Sequence, residues 1–314
     1  MKIGLDIMGG DYAPKAAVLG AIEADKALSG HQLVLIGDKD AALQILSEAG
    51  YSPDNFEFVH TTEVIGMGEH PTKAISQKPG SSIALGFKLL KEGQIQAFSS
   101  AGNTGAMLVG SVFSIRTIPG VQRPAMTSIV PQLNGGRSVL LDVGANADCK
   151  PDMLVQFGVL GKLYAEHVYK IANPRVALVN IGEEAEKGNI LTQATYPLMK
   201  DSGQFNFTGN IETRHLFDGE ADVFVADGYT GNIIIKLAES FYVVSLKKRI
   251  KDEFFDRFNY EQYGGSPILG VNGSVVVGHG ISNPEAIKNM VLLSKDVYES
   301  GLIDEIRKAF AVKE

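Results

Sequence analysis

SVLLDVGANADCKPDMLVQFGVLGKLYAEHVYKIANPRVALVNIG, residues 138–182, sets an apolar run, a helical run and a second apolar run in succession. Residues 138–143 and 175–181 are short, rich in Val, Leu and Ile, and bounded by Gly, Asn and Pro, which predicts two buried strands. Between them Leu154, Phe157, Gly161, Tyr164 and Val168 step by three and four residues, so residues 153–168 carry one buried helical stripe. Pro151 suits the first turn of that helix, where its missing N–H costs nothing. Strand, helix, strand is the unit of a parallel sheet covered by helices on both faces.

The same alternation extends in both directions, with further strands expected at residues 2–7, 32–36, 95–99, 222–226 and 274–277. The expected fold is therefore α/β: a three-layer α/β/α arrangement around a mostly parallel sheet. No repeat, low-complexity tract or Ser/Pro-rich linker interrupts the chain, which predicts a single domain over residues 1–314, with 119–131 the one stretch where a boundary could fall.

Of the 314 residues 45% are hydrophobic and 21% charged, enough to bury a large core. The formal net charge of −7 argues against nucleic acid as a partner, because such binders need a basic field to displace phosphate counterions. The single cysteine, Cys149, rules out an intrachain disulfide or a CxxC motif and suits a reducing cytoplasm. No signal peptide is legible, and no run of about 18 apolar residues is present to span a bilayer.

The strands end in polar residues and glycines: Asp142 to Asn146, Asn180 to Gly182, Asp227-Gly228 and His279-Gly280. In open α/β sheets ligands bind beyond the carboxyl ends of the strands, so these ends predict a binding crevice. Taken singly, each is better explained by a tight strand-to-helix turn, and it is four such ends in one sheet that tilt the reading toward a crevice. Ser100-Ala101-Gly102-Asn103-Thr104-Gly105 joins a strand to a helix, and free N–H groups at such a start favour phosphate, although an ordinary N-cap by Ser100 or Asn103 explains it equally well. Asp227 to Asn232 makes a second such junction and supplies Lys236 one turn inside. Asp6 and Asp11 flank Gly9-Gly10 after the first strand, and carboxylates so placed near phosphate are expected to position cations. Arg123, Arg137, Lys187 and Arg214 are the cations in glycine-rich or turn contexts, each of which, taken singly, reads more readily as a surface charge.

None of the six histidines has metal-ligand spacing, so no metal site is expected. His279 ends a strand and could move a proton or donate to an oxyanion, with a packed, satisfied histidine the equal alternative. Cys149 lacks an adjacent base and reads as a spectator thiol.

Together the blocks DIMGGDYAP from Asp6, SAGNTGA from Ser100, RPA from Arg123, DVGAN from Asp142, LVQFG from Leu154, NIGEEAEKG from Asn180, GNIE from Gly209, DGYTGN from Asp227 and YGGSPILGVNG from Tyr263 resemble the PlsX-type phosphate acyltransferases of bacterial phospholipid synthesis. The chain departs from that pattern after the GNIE block, where it has Thr213, Arg214 and His215. The resemblance implies a fold similar to phosphotransacetylases and the isocitrate dehydrogenase group, a homodimer, and no cofactor. It implies conversion of an acylated acyl carrier protein (acyl-ACP) and inorganic phosphate to acyl phosphate and free carrier. A membrane glycerol-3-phosphate acyltransferase would use the product.

Phosphate is already nucleophilic near neutral pH, so alignment and oxyanion stabilisation should dominate catalysis. On that basis Asn103, Thr104, Gly105 and Arg123 are expected to hold phosphate, Asn232 and Lys236 to polarise the carbonyl, and Lys187 or His279 to assist the leaving thiol. Asp6, Asp11, Asp142, Asn146 and Asp227 are expected to position cations. A nucleotide-dependent dehydrogenase and a non-catalytic scaffold that recruits carrier protein to membranes are the competing readings; the first lacks a GxGxxG fingerprint, although the implied fold group does not use one, and the second leaves the strand-end polar groups without a purpose.

One further stretch stands apart. Val243, Leu246, Ile250, Phe254 and Phe258 fall at helical spacing beside Lys247, Lys248, Arg249 and Lys251, which predicts a single helix face. Core or dimer packing is the first expectation for that face, followed by peripheral contact with a membrane surface or an acidic carrier protein.

Overall fold

A computed structural model describes residues 1–311. Its strands are β1 (Lys2–Asp6), β2 (Gln32–Gly37), β3 (Phe56–His60), β4 (Ala97–Ser100), β5 (Ala125–Pro131), β6 (Arg137–Leu141), β7 (Arg175–Asn180), β8 (Asn206–Glu212), β9 (Val223–Val225), β10 (Ser266–Leu269) and β11 (Ser274–Val277). Its helices are α1 (Lys15–Ala27), α2 (Lys39–Glu48), α3 (Pro71–Gln77), α4 (Ser82–Lys91), α5 (Thr104–Gly110), α6 (Pro151–His167), α7 (Ile190–Asp201), α8 (Gly228–Lys248), α9 (Glu253–Asp256), α10 (Pro284–Glu299) and α11 (Leu302–Phe310). All seven strands expected from the sequence are present, with ends displaced by up to two residues. The sequence reading missed β3, β5, β8 and β10.

The chain folds into two compact units. The first comprises Met1–Thr117 with Tyr260–Glu299, and the second Ile118–Asn259 with the segment from Ser300 onward. In the first unit the strand order is β3-β2-β1-β4-β11-β10, parallel except for the β10–β11 pair. In the second it is β5-β6-β9-β7-β8, parallel except for β5–β6.

The helix at the centre of the opening stretch forms as its spacing requires, with Pro151 in its first turn. Leu154, Phe157 and Tyr164 are buried, and Gly161 is where α6 meets the sheet: a Cβ there would stand 2.5 Å from Val223 and 2.7 Å from Leu141. Only glycine permits that approach.

The expected helix face across residues 243–258 is corrected. Helix α8 stops at Lys248, Arg249 turns left-handed at φ 55°, and a separate short α9 begins at Glu253. The register is lost at that turn, so the five apolar side chains do not share one face. Phe254 and Phe258 instead pack edge-on with Phe217 and Phe241 within the second unit. Phe258 is only 5% exposed, whereas Val243, Leu246 and Ile250 remain exposed. Core packing thus accounts for the phenylalanines. No helix among the described residues is long and apolar enough to cross a membrane.

Candidate active site

In the first unit, the ends of the neighbouring parallel strands β1, β4 and β11 converge. Gly278 N donates to Ser100 O and Asp11 N to Gly280 O, tying the turns after these strands together. Asp6 is buried beneath them; its carboxylate accepts from Met8 N at 2.9 Å and Ser100 Oγ at 2.6 Å. Burial pushes its carboxyl above the ordinary range, and the surrounding hydroxyl and amide donors pull the other way. These partners are neutral donors, and Asp11 is exposed nearby.

Asn103 caps α5: its Oδ1 accepts from Ala106 N at 2.9 Å. Its Nδ2 faces the carbonyls of Gly66, Met67 and Glu69 at 3.0–3.1 Å, so the side chain fastens the 66–69 loop to the start of the helix. Of the two sequence readings of this residue, the cap is what its carboxamide performs. Thr104 is exposed at the first helical position, and Gly105 lies under Pro71, whose Cγ would stand 2.3 Å from a Cβ at that site. His279 follows β11 half-buried, its ring 4.6 Å from that of Tyr260.

In the second unit the ends of β6, β9, β7 and β8 lie side by side. Asp142, fully buried, anchors the first of them. Its Oδ1 accepts from Met126 N and Ala145 N, and its Oδ2 from Asn146 N and Asn146 Nδ2. Burial pushes this carboxyl up as well, against those donors. Asn146 also donates to Pro124 O, beside the exposed Arg123, and accepts from Gly228 N through its own carbonyl. The start of α8 presses so closely on this loop that a Cβ at Gly231 would lie 2.0 Å from Asp142 O.

Asp227 caps α8, accepting from Thr230 N and Thr230 Oγ1. Asn232 lies beside Gly144, at 3.6 Å from where a Cβ would stand, and Lys236 is exposed one turn further along. Lys187 is exposed in the acidic loop after β7, its carbonyl accepting from Asn180 Nδ2 at 3.1 Å. Each unit therefore gathers its own share of the expected residues: Asp6, Asp11, Asn103, Thr104, Gly105 and His279 in the first, and Arg123, Asp142, Asn146, Lys187, Asp227, Asn232 and Lys236 in the second.

Cys149 accompanies the Asp142 loop, its Sγ 3.5 Å from Asn146 O. Burial, reinforced by the Asp142 carboxylate, pushes its thiol up to about 12. The side chain is a neutral thiol at physiological pH, not a thiolate nucleophile. The fold also brings ligand atoms of His215, Asp218 and Glu220 within 4.8 Å of one another, a grouping that exposed acidic residues often make without an ion.

A cavity of about 560 Å³ opens beyond the ends of β7, β8 and β9, walled by residues including Leu154, Val179, Asn189, Thr192, Glu212 and Thr213. The sequence reading assigned none of these six to the site. Glu212 did stand in one of the quoted blocks, but the strand that carries it, β8, was not foreseen.

A family model described as fatty acid synthesis protein matches residues 1–305. The chain is 42% identical to a phosphate acyltransferase of Dictyoglomus turgidum, across 94% of this chain and 93% of the relative, and 40% identical to one of Syntrophomonas wolfei, across 97% of both. The chain belongs to the PlsX-type phosphate acyltransferase family. In fold this family member is similar to a phosphotransacetylase from Streptococcus pyogenes, with a TM-score of 0.64 at 16% identity over 95% of this chain and 94% of that one. A branched-chain phosphotransacylase from Enterococcus faecalis gives 0.59 at 15% identity over 94% and 98%. The expected α/β fold class and the phosphate acyltransferase resemblance are both borne out.

Proposed function

We propose that the chain transfers the acyl group of an acyl-ACP to inorganic phosphate, releasing free carrier protein and an acyl phosphate used by a membrane glycerol-3-phosphate acyltransferase. The observation that carries this reading is the near full-length match to relatives named phosphate acyltransferase, at 40–42% identity. In the proposed reaction a phosphate oxygen attacks the thioester carbonyl, the C–S bond breaks, and the thiolate takes up a proton. Phosphate is assigned to Thr104 and Gly105 at the start of α5, held in place by Asn103 in the first unit; Arg123 is proposed separately, as a phosphate-binding cation of the second. Asn232 and Lys236 stabilise the carbonyl oxygen as it gains charge, and Lys187 or His279 assists the departing thiol. Asp142, Asn146 and Asp227 fix the turns that present the residues of the second unit, and Asp6 and Asp11 do so in the first, a different role from the cation positioning expected of all five.

The family match runs through both compact units, which supports treating residues 1–314 as one functional domain; a homodimer in the cytoplasm, without a cofactor, completes the proposal. Peripheral membrane contact stays part of the proposal, carried by exposed Leu246 and Ile250 beside Lys247, Lys248, Arg249 and Lys251 rather than by the packed phenylalanines. The test uses the purified full chain with long-chain acyl-ACP, with and without phosphate, trapping acyl phosphate as hydroxamate. Phosphate-dependent release of carrier with hydroxamate formation is the expected result. Release independent of phosphate would make the protein a thioesterase and overturn the reading.

A further inference from the structure

We infer that the cavity beyond β7, β8 and β9 takes the uncharged, amide-bearing pantetheine arm through which an acyl thioester is presented, and excludes phosphate. This rests on the acyl-transfer reading above and assigns one part of it to a place in the molecule. The volume of about 560 Å³ lies in the range of small-molecule sites, and the cavity opens at the carboxyl ends of parallel strands, where such sites form.

Its chemistry selects the ligand. The wall contains no lysine, arginine or histidine of its own and presents two carboxylates, Asp227 and Glu212, the latter paired with the exposed Arg214 at 2.6 Å. Two helices begin at this cavity, and a helix start ordinarily attracts anions. Here each start carries a side-chain cap: Asn189 Oδ1 accepts from Thr192 N, and the Asp227 carboxylate accepts from Thr230 N, each at 2.9 Å. A negative cap cancels the positive end of α8, and the loop leading to α7 adds exposed Glu183, Glu184 and Glu186 beside Lys187. A phosphate or a free carboxylate entering this space meets the Asp227 carboxylate and a wall that supplies no cation of its own.

A pantetheine chain meets the opposite. Its amide N–H and hydroxyl groups are donors, and the rim is rich in acceptors: the Glu212 and Asp227 carboxylates and the Thr213 hydroxyl. Its methylene and methyl groups find an apolar floor of Leu154, Val179 and Ala226, all buried. A fully acylated tail is less well matched, since the acceptors of the rim would lie unpaired against hydrocarbon.

Two rim positions allow a test without disturbing the core. Ile181 is 80% exposed, and Thr213 is exposed at the head of a short turn. Ile181→Trp and Thr213→Trp should each fill the mouth of the cavity. Binding of S-methyl pantetheine to the full chain, titrated without phosphate, should weaken about tenfold or more in both variants. KM for acyl-pantetheine, acyl-CoA and acyl-ACP should rise by a similar factor while KM for phosphate changes less than about twofold. Turnover of all three donors by the unaltered protein assigns recognition to the arm itself, whereas turnover confined to acyl-pantetheine and acyl-ACP identifies the carrier-borne arm as the source. A rise in phosphate KM with donor KM unchanged, or S-methyl pantetheine binding that neither variant weakens, overturns the assignment. The two readings fail separately: pantetheine binding lost in the variants, with no phosphate-dependent turnover by the unaltered chain, leaves the cavity assignment standing and removes the proposed reaction.

Discussion

Replacing Asn103 with alanine removes two functions of one buried carboxamide that is 5% exposed. Its Oδ1 caps α5 through Ala106 N, and loss of such a cap costs about 1 kcal/mol. Its Nδ2 faces three carbonyls, of Gly66, Met67 and Glu69, but carries only two hydrogens, so two bonds act at a time. At about 1 kcal/mol each, and with the carbonyls left in a poorly hydrated position, these bring the expected loss to about 3 kcal/mol. For a chain of this size that corresponds to a fall in Tm of roughly 4–5 °C. Asn103→Asp sharpens the test. Aspartate keeps the cap acceptor but turns a second oxygen toward three carbonyls, so at pH 8 it should destabilise at least as much as alanine. Protonation restores a donor, so the deficit should shrink as pH falls toward 5, the carboxyl of the variant being pushed up by those oxygens. Thermal melts of both variants at pH 5 and pH 8, with phosphate KM measured alongside, decide it. If both variants melt like the unaltered protein and only phosphate KM rises, Asn103 is a direct phosphate ligand and its role as a strut is refuted.

Phe258→Ala should cost about 3–5 kcal/mol by opening a cavity among Phe217, Phe241 and Phe254, visible in denaturant unfolding; unchanged stability together with lost vesicle binding would return this residue to a membrane role. Cys149→Ser should keep most of the activity, and the thiol should resist alkylation at pH 8, because burial holds it protonated up to about 12; a covalent acyl adduct on Cys149 in mass spectra would contradict this. Burial raises the Glu239 carboxyl from 4.5 to about 7, so between those values the folded chain holds a proton that the unfolded chain releases. Stability should therefore fall as pH rises through that window, and Glu239→Gln should flatten this part of the pH–Tm profile.

The sequence alone was enough for the α/β class, because the two periods in residues 138–182, short β-branched runs against a three-and-four stripe, report burial on both sheet faces and on one helix face without reference to distant contacts. Residues 206–212 and 125–131 were not legible, since β8 alternates weakly and β5 contains Pro131; β8 becomes a strand by pairing with β7 on the far side of α7, and β5 by pairing across a short turn with β6. The polar strand ends were equally plain as residue types, but side-chain type does not say who the partner is. Asn103 reads as a phosphate ligand or a cap until the 66–69 carbonyls are seen around its Nδ2, and Asp142 as a cation holder until four amide hydrogen bonds are found on it. Residues 243–258 show the same limit from the other side. Their helical spacing was real, but one left-handed residue at Arg249 cancelled it. The sequence by itself determined the α/β class and the family, which rest on local periodicity and on ordered blocks of residues. Only tertiary structure decided which buried polar group satisfies which, because a hydrogen-bond partner is set by distance in space, and no spacing along the chain encodes it.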